Sequence, residues 1–113
     1  EYIQLFTEDA VWGGGGQPQR KGHAEILEGA RARRASGLSG PGSHTLHVLT
    51  TSAIRLEGEN ATSRSVFHYY TNTDATPALL IIGIYEDSFR RTAAGWKLSG
   101  RVIHGPAATP PAK

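Results

Sequence analysis

The sequence predicts one α+β domain in which an antiparallel sheet curves around an apolar pocket, and three observations carry that prediction. From Ser43 to His104 apolar and polar residues alternate in long runs broken by turns of a few residues. One stretch, Lys21 to Ser36, has helical spacing and helical punctuation instead. Finally, 113 residues can bury one hydrophobic core but not two. Residues 1–105 therefore read as a single domain, and 106–113, with Pro106, Pro110 and Pro111, as a disordered tail.

In chain order, Tyr2 to Glu8 reads as a short helical turn, its apolar Tyr2, Ile3, Leu5 and Phe6 resembling the end of a helix begun further upstream. Ala10 to Trp12 starts a strand that Gly13 to Gly16 break. In the helix that follows, Glu25 and Glu28 sit early and Arg31, Arg33 and Arg34 late, matching the helix dipole, while Ile26, Leu27 and Ala30 form a narrow apolar stripe. Gly37 to Gly42 is a loop. Strands are then expected over Ser43 to Leu56, Ala61 to Asn72, Pro77 to Arg91 and Trp96 to His104, with turns at Glu57 to Asn60 and Ala93 to Gly95. Such short turns imply antiparallel neighbours, because parallel strands need a long crossover.

Alternation assigns faces along the third of these long strands: Leu79, Ile81, Gly83, Tyr85, Asp87 and Phe89 on one side, Leu80, Ile82, Ile84, Glu86, Ser88 and Arg90 on the other. Both sides are apolar as far as Ile84. A sheet with one face in water does not need this, so the outer face is expected to be covered in a homodimer or homotrimer.

Composition narrows the function. A formal net charge of +2 gives no basic surface of the kind nucleic acid requires. Cysteine is absent, which removes disulfides and thiolate chemistry. No apolar run approaches the roughly 18 residues of a membrane span and no signal segment opens the chain, so a soluble, cytoplasmic protein without membrane or nucleic-acid partners is expected.

Most short motifs have ordinary explanations. Gly13 to Gly16 with Arg20 and Lys21 lacks the glycine-to-lysine spacing, and the hydroxyl after the lysine, of a phosphate loop. The arginines at 31 to 34 close a helix, where positive charge is favourable without a ligand. Arg33, Arg34 and Ser36 fit a basic phosphorylation pattern and Asn60-Ala61-Thr62 a glycosylation sequon, both patterns that arise by chance. Of the five histidines, His44 and His47 lie three apart in a strand and point to opposite faces, and no pair has zinc-site helical spacing, so no metal is expected. His47 stands out, flanked by Leu46, Val48 and Leu49: a histidine facing an apolar cavity can pass a proton near neutral pH, or can be a hydrogen-bonded core residue.

Three stretches carry a resemblance: LFTEDAVW at Leu5 to Trp12, TLHVLTT at Thr45 to Thr51 leading into GENATSRS at Gly58 to Ser65, and GIYEDSFRRTAAGWKLSGR at Gly83 to Arg101. In order and spacing they are similar to the SnoaL-like families of the nuclear transport factor 2-like superfamily, relatives of scytalone dehydratase, ketosteroid isomerase and dehydrochlorinases. The resemblance implies a cone-shaped fold, a bent antiparallel sheet packed on helices around a deep apolar pocket. It also implies that His47 matches the pocket histidine of the dehydratase and dehydrochlorinase branches. The aspartate that works with that histidine belongs to a position before Glu1. The later-strand Ser and Asn of scytalone dehydratase fall on Gly83 and Tyr85, a departure from that enzyme's pattern.

The functional expectation is an acid–base enzyme, a dehydratase or isomerase acting without a cofactor on an apolar cyclic or polyketide-like molecule. His47 is the catalytic candidate, with Tyr85 and Asp87 behind it. Ser65 and Tyr69 would orient the substrate, and Trp12, Leu49, Phe67, Phe89, Leu98 and Val102 would line or support the cavity. The alternative is a non-catalytic ligand-binding or dimerisation module of the same fold.

Overall fold

A computed structural model describes residues 2–105, so the expected tail at 106–113 lies outside the described residues. Tyr2–Leu5 form a 3-10 turn, followed by β1 (Phe6–Gly14), β2 (Gln17–Lys21), α1 (Gly22–Ala35), β3 (Leu46–Glu57), β4 (Asn60–Thr71), β5 (Ala78–Thr92) and β6 (Gly95–His104). All four long strands and the helix lie within a few residues of the predicted bounds. Two features differ. Phe6 begins a strand rather than ending a helix, and Gln17–Lys21 forms a strand where none was expected. Its sequence, QPQRK, has no apolar alternation, and Pro18 is tolerated because β2 is an edge strand.

The strands form one curved sheet in the order β2-β1-β6-β5-β4-β3. Four of its five ladders are antiparallel, but β1 and β6 run parallel. That pairing joins the two ends of the chain, with α1 and the long hairpins supplying the crossover a parallel ladder requires. The three glycines Gly14 to Gly16 make the β1–β2 turn. Gly14 has φ 103°, and a Cβ there would collide with the Ile103 carbonyl oxygen across the parallel ladder, so only glycine fits.

Curvature has a visible source in register. Thr50 of β3, Leu80 of β5 and Ser99 of β6 each lie between two paired residues without a partner of their own, because the ladders step from Leu49↔Phe67 to Thr51↔Val66, from Tyr69↔Ile81 to Tyr70↔Leu79, and from Phe89↔Leu98 to Ser88↔Gly100. Such single-residue bulges bend a strand and increase its twist. They also reset which side chains face inward, since strand periodicity is two.

α1 packs against β1, β2 and the Tyr2–Leu5 turn. Glu25 caps its start by accepting the Lys21 backbone N–H at 2.6 Å, and its end closes through the Leu38 N–H donating to the Arg33 carbonyl at 3.0 Å. Ile26 is the fully buried residue of the helix and packs with Phe6, Ala10, Trp12 and Leu98. A second cluster, Phe67, Tyr69 and Tyr85, lies on the inner face of β4 and β5, touched by Ile81 and Ile103.

Candidate functional site

Cross-strand register places the inner-face residues in rows. His47, Tyr69 and Ile81 form one row, Leu49, Phe67 and Gly83 the next, then Ser52, Ser65, Tyr85 and Ile103, and then Ile54, Ser63, Asp87 and Arg101. Trp12 of β1 extends the last row, opposite Arg101. The concave face therefore carries His47, Leu49, Ser65, Phe67, Tyr69, Tyr85 and Asp87 together.

Phe67 and Tyr85 stack face to face at 4.2 Å between ring centroids and 14°, a buried aromatic pair in the floor of the site. Gly83 makes that stack possible: a Cβ on it would lie 2.5 Å from the Phe67 ring and 2.8 Å from the His104 carbonyl oxygen. His47 leans over the floor, its ring 4.6 Å from Tyr69 and 5.9 Å from Phe67. Among the described residues, neither ring nitrogen of His47 has a hydrogen-bond partner. Desolvation by its neighbours, with the nearby positive charges of Arg101 and Arg33, holds the imidazole below its ordinary value, so the neutral form prevails at pH 7.

Arg101 is the functional candidate that sequence reasoning missed. Its Nε donates to Asp87 Oδ1 at 2.7 Å and its Nη2 to Oδ2 at 3.0 Å, a bidentate pair with Asp87 95% buried. The guanidinium lies 3.8 Å above the Tyr85 ring. Burial alone would lower its pKa, but hydrogen bonding to Asp87 and the charge of that carboxylate raise it, and Arg101 stays charged. Burial likewise pushes the Tyr85 phenol upward, keeping its hydroxyl protonated. Asp87 is thereby committed to holding Arg101.

The Ser99 bulge explains both this omission and one correction. Uninterrupted alternation groups Leu98, Gly100 and Val102; with Ser99 set aside, Leu98, Arg101 and Ile103 share the inner face. Val102 pairs with Glu86, is 52% exposed and lies on the outer face, so it does not line the site. Gly100, next to the unpaired residue, is the sequence signal for such a bulge. The Leu80 bulge similarly moves Leu79 from the row of Ile81 to a place opposite Tyr70.

The other expected residues separate into two groups. Ser65 is buried and its Oγ lies 3.0 Å from Ser52 Oγ; Tyr69 donates its hydroxyl to the Leu38 carbonyl at 2.7 Å, tying the loop after α1 to the sheet. Trp12, Leu98 and the partly buried Phe89 belong to the core cluster around Ile26, supporting the floor rather than lining it beside His47. Leu49 does face the site but is 58% exposed. With α1 seated on β1 and β2, the inner face of β3 is uncovered: among the described residues the site is an open trough, with the α1 C-terminus and the 36–45 loop on one side.

A polar groove at the other end of the sheet includes Thr7, Asp9, His23, Arg90 and Lys97. Arg90 and Asp9 pair there at 3.1 Å and His23 Nε2 donates to the Phe6 carbonyl at 2.9 Å, while the buried Thr7 Oγ1 has no hydrogen-bond partner among the described residues. No group of histidines and carboxylates suited to a metal ion occurs among the described residues. No helix among them is long and apolar enough to cross a membrane.

A curved, mixed six-stranded sheet with one helix packed on it matches the nuclear transport factor 2-like fold, also called cystatin-like. An NTF2-like protein with a cystatin-like fold from Novosphingobium aromaticivorans superposes with a TM-score of 0.77 at 25% identity, over 96% of this chain and 69% of that one. A protein described as a candidate aromatic ring hydroxylase, also from Novosphingobium aromaticivorans, gives 0.69 at 29% identity over 92% and 71%. A candidate dehydratase of the NTF2-like family from Streptomyces avermitilis gives 0.71 at 19% identity over 88% and 68%, a likeness of fold alone. Within this superfamily, the SnoaL-like domain profile matches residues 1–102, and the chain belongs to the SnoaL-like family. No curated protein sequence matches it.

Proposed function

We propose that the trough is the site of a small-molecule acid–base enzyme, a dehydratase or isomerase acting on an apolar cyclic or polyketide-like compound without a cofactor. The observation that supports this reading is His47: a neutral imidazole, both nitrogens free of partners among the described residues, set beside Tyr69 and the stacked Phe67–Tyr85 pair. A ring substrate would lie along the open side of the trough, beside His47, with its carbonyl toward Arg101 and the Tyr85 hydroxyl. His47 would remove the proton α to that carbonyl, and the negative charge developing on oxygen would be met by the guanidinium and phenol. The imidazolium would then return the proton, to a departing β-hydroxyl as water in a dehydratase or to another carbon in an isomerase. Asp87 would position Arg101, and Ser65, Phe67, Tyr69 and Leu49 would shape the trough.

The open trough lends support to a second reading, a ligand-binding or dimerisation module without catalysis. Deuterium exchange α to the carbonyl of a bicyclic β-hydroxyketone, followed by NMR, separates the two. Replacing His47 by alanine is expected to slow exchange by about 10²- to 10⁴-fold, the usual contribution of a positioned general base. Undiminished exchange in His47→Ala removes the residue from its role, and binding without exchange in the unaltered protein favours the module.

We also infer a homodimer or homotrimer through the outer sheet face. There Leu46, Val48, Leu80, Ile82 and Val102 are exposed at 55%, 37%, 61%, 50% and 52%, with Ile84 half-buried among them and His68 and Glu86 interspersed, an apolar-rich surface of the kind that partners cover. Light scattering at micromolar concentration should report more than one chain; a monomer counts against it.

A further inference from the structure

The reading of the trough as a ligand site leaves one feature without a use: three arginines arranged around Trp12, one of them over its indole. Trp12 is paired across the sheet with Arg20 of β2 on one side and Arg101 of β6 on the other. Arg33 of α1 lies over the same ring, its Cζ 4.3 Å from the centroid. Gly29 gives it passage, since a Cβ on that glycine would stand 3.2 Å from Arg33 Nη1 and 3.1 Å from Arg20 Nε. Arg31 and Arg34, the helical neighbours of Arg33, are exposed; Arg33 alone of the three is turned onto the sheet.

Like charges do not gather on a half-buried surface without cost, and the carboxylates nearby compensate only part of it. Asp87 neutralises Arg101. Glu28 reaches Arg20 only at 4.0 Å with its own side chain 76% exposed, and Arg20 Nε is buried with no hydrogen-bond partner among the described residues. Arg33 makes no ion pair among the described residues. The positive charge extends over the trough itself, where Arg33 and Arg101 both act on His47 and on the Tyr85 phenol. A helix C-terminus accounts for basic residues in sequence, but not for the one that is turned inward onto an aromatic ring beside two others.

We propose that the ligand of the trough is an organic anion, a cyclic compound bearing a carboxylate that is received by Arg33, with Arg101 close by, while its ring lies along the open side of the trough beside His47. The planar fork of Arg33, which has no ion pair among the described residues, suits a carboxylate's two oxygens, the indole beneath holds that fork flat, and Arg101 adds the N–H groups that Asp87 leaves free. Such an anion supplies the missing counter-charge and fixes the orientation of the ring against His47.

The test is calorimetric titration of the full chain with 2-naphthoate and with its uncharged counterpart 2-naphthamide, at low and at high salt. The unaltered protein is expected to prefer naphthoate by about tenfold or more, the worth of one or two charge-assisted hydrogen bonds, with the preference shrinking as salt rises. Arg33→Gln should erase most of the preference while leaving naphthamide binding intact, and Arg31→Gln, which removes the same charge from the exposed face, should not. Equal binding of the two probes, or equal losses in Arg33→Gln and Arg31→Gln, overturns the anion site and leaves the trough as an apolar ligand site. Binding of neither probe overturns both. The comparison of probes on the unaltered protein decides the matter even if Arg33→Gln does not fold.

Discussion

The two ends of the sheet are built on opposite principles. Beneath α1, β1 and β6 close a conventional core in which Ala10 and Ile26 are almost wholly buried and Phe6, Trp12 and Leu98 nearly so. At the other end every residue of β3 is exposed, and the apolar Leu49, Ile54 and Leu56 of its inner face stand 58%, 71% and 70% open. Between them Phe67, Tyr69, Tyr85 and Asp87 are buried, so the packed core continues through β4 and β5 and only β3, which carries His47, stands open to a ligand. The separation lets the trough hold an unpartnered histidine and a surplus of positive charge without loosening the core.

The sharpest way to break this contrast is to truncate one isoleucine on each side. Ile26→Ala should lower the unfolding free energy by about 2–5 kcal/mol, as expected for a fully buried aliphatic side chain. Ile54→Ala, equal in chemistry but exposed, should change it by less than about 0.5 kcal/mol. Denaturant melts of the two variants check both values, and comparable losses would mean that the open end is as much core as the closed one.

A smaller effect tests the trough itself through pH. The folded-state pKa of His47 lies below its unfolded value, so between the two the unfolded chain binds more protons and stability rises with pH. The contribution is complete above about pH 6.5 and is lost as pH falls through the folded pKa. Denaturant midpoints measured from acid to neutral pH should show this slope in the unaltered protein and a shallower one in His47→Gln. An unchanged slope would place the imidazole in water rather than against Tyr69 and Phe67.

Much of the open end is legible in the sequence, because β3, β4 and β5 keep a period of two on either side of the Thr50 and Leu80 bulges and their turns are short. Alternation puts Tyr85 and Asp87 on one face, and the register sets His47, Ser65, Phe67 and Tyr69 on that same face. The closed end is less so. The parallel β1–β6 ladder joins residues some ninety positions apart, a pairing no local pattern announces, and β2 carries no apolar alternation at all. Arg101 escaped notice because the Ser99 bulge changes phase two residues before it. Arg33 escaped because helical spacing says which residues lie at a C-terminus, not which of three adjacent arginines folds back onto an indole.

Ser99 carries a further implication for how this chain can vary. Each unpaired residue acts as a phase shifter between a strand's first and second halves. Removing Ser99 alone would leave Leu98, Gly100, Arg101, Val102 and Ile103 in plain alternation, with Arg101 and Ile103 still inward and Val102 outward, and would take away only the local bend. A relative built without the bulge would be one residue shorter there, and sequences aligned without regard to that gap would match residues that stand on opposite faces of the sheet.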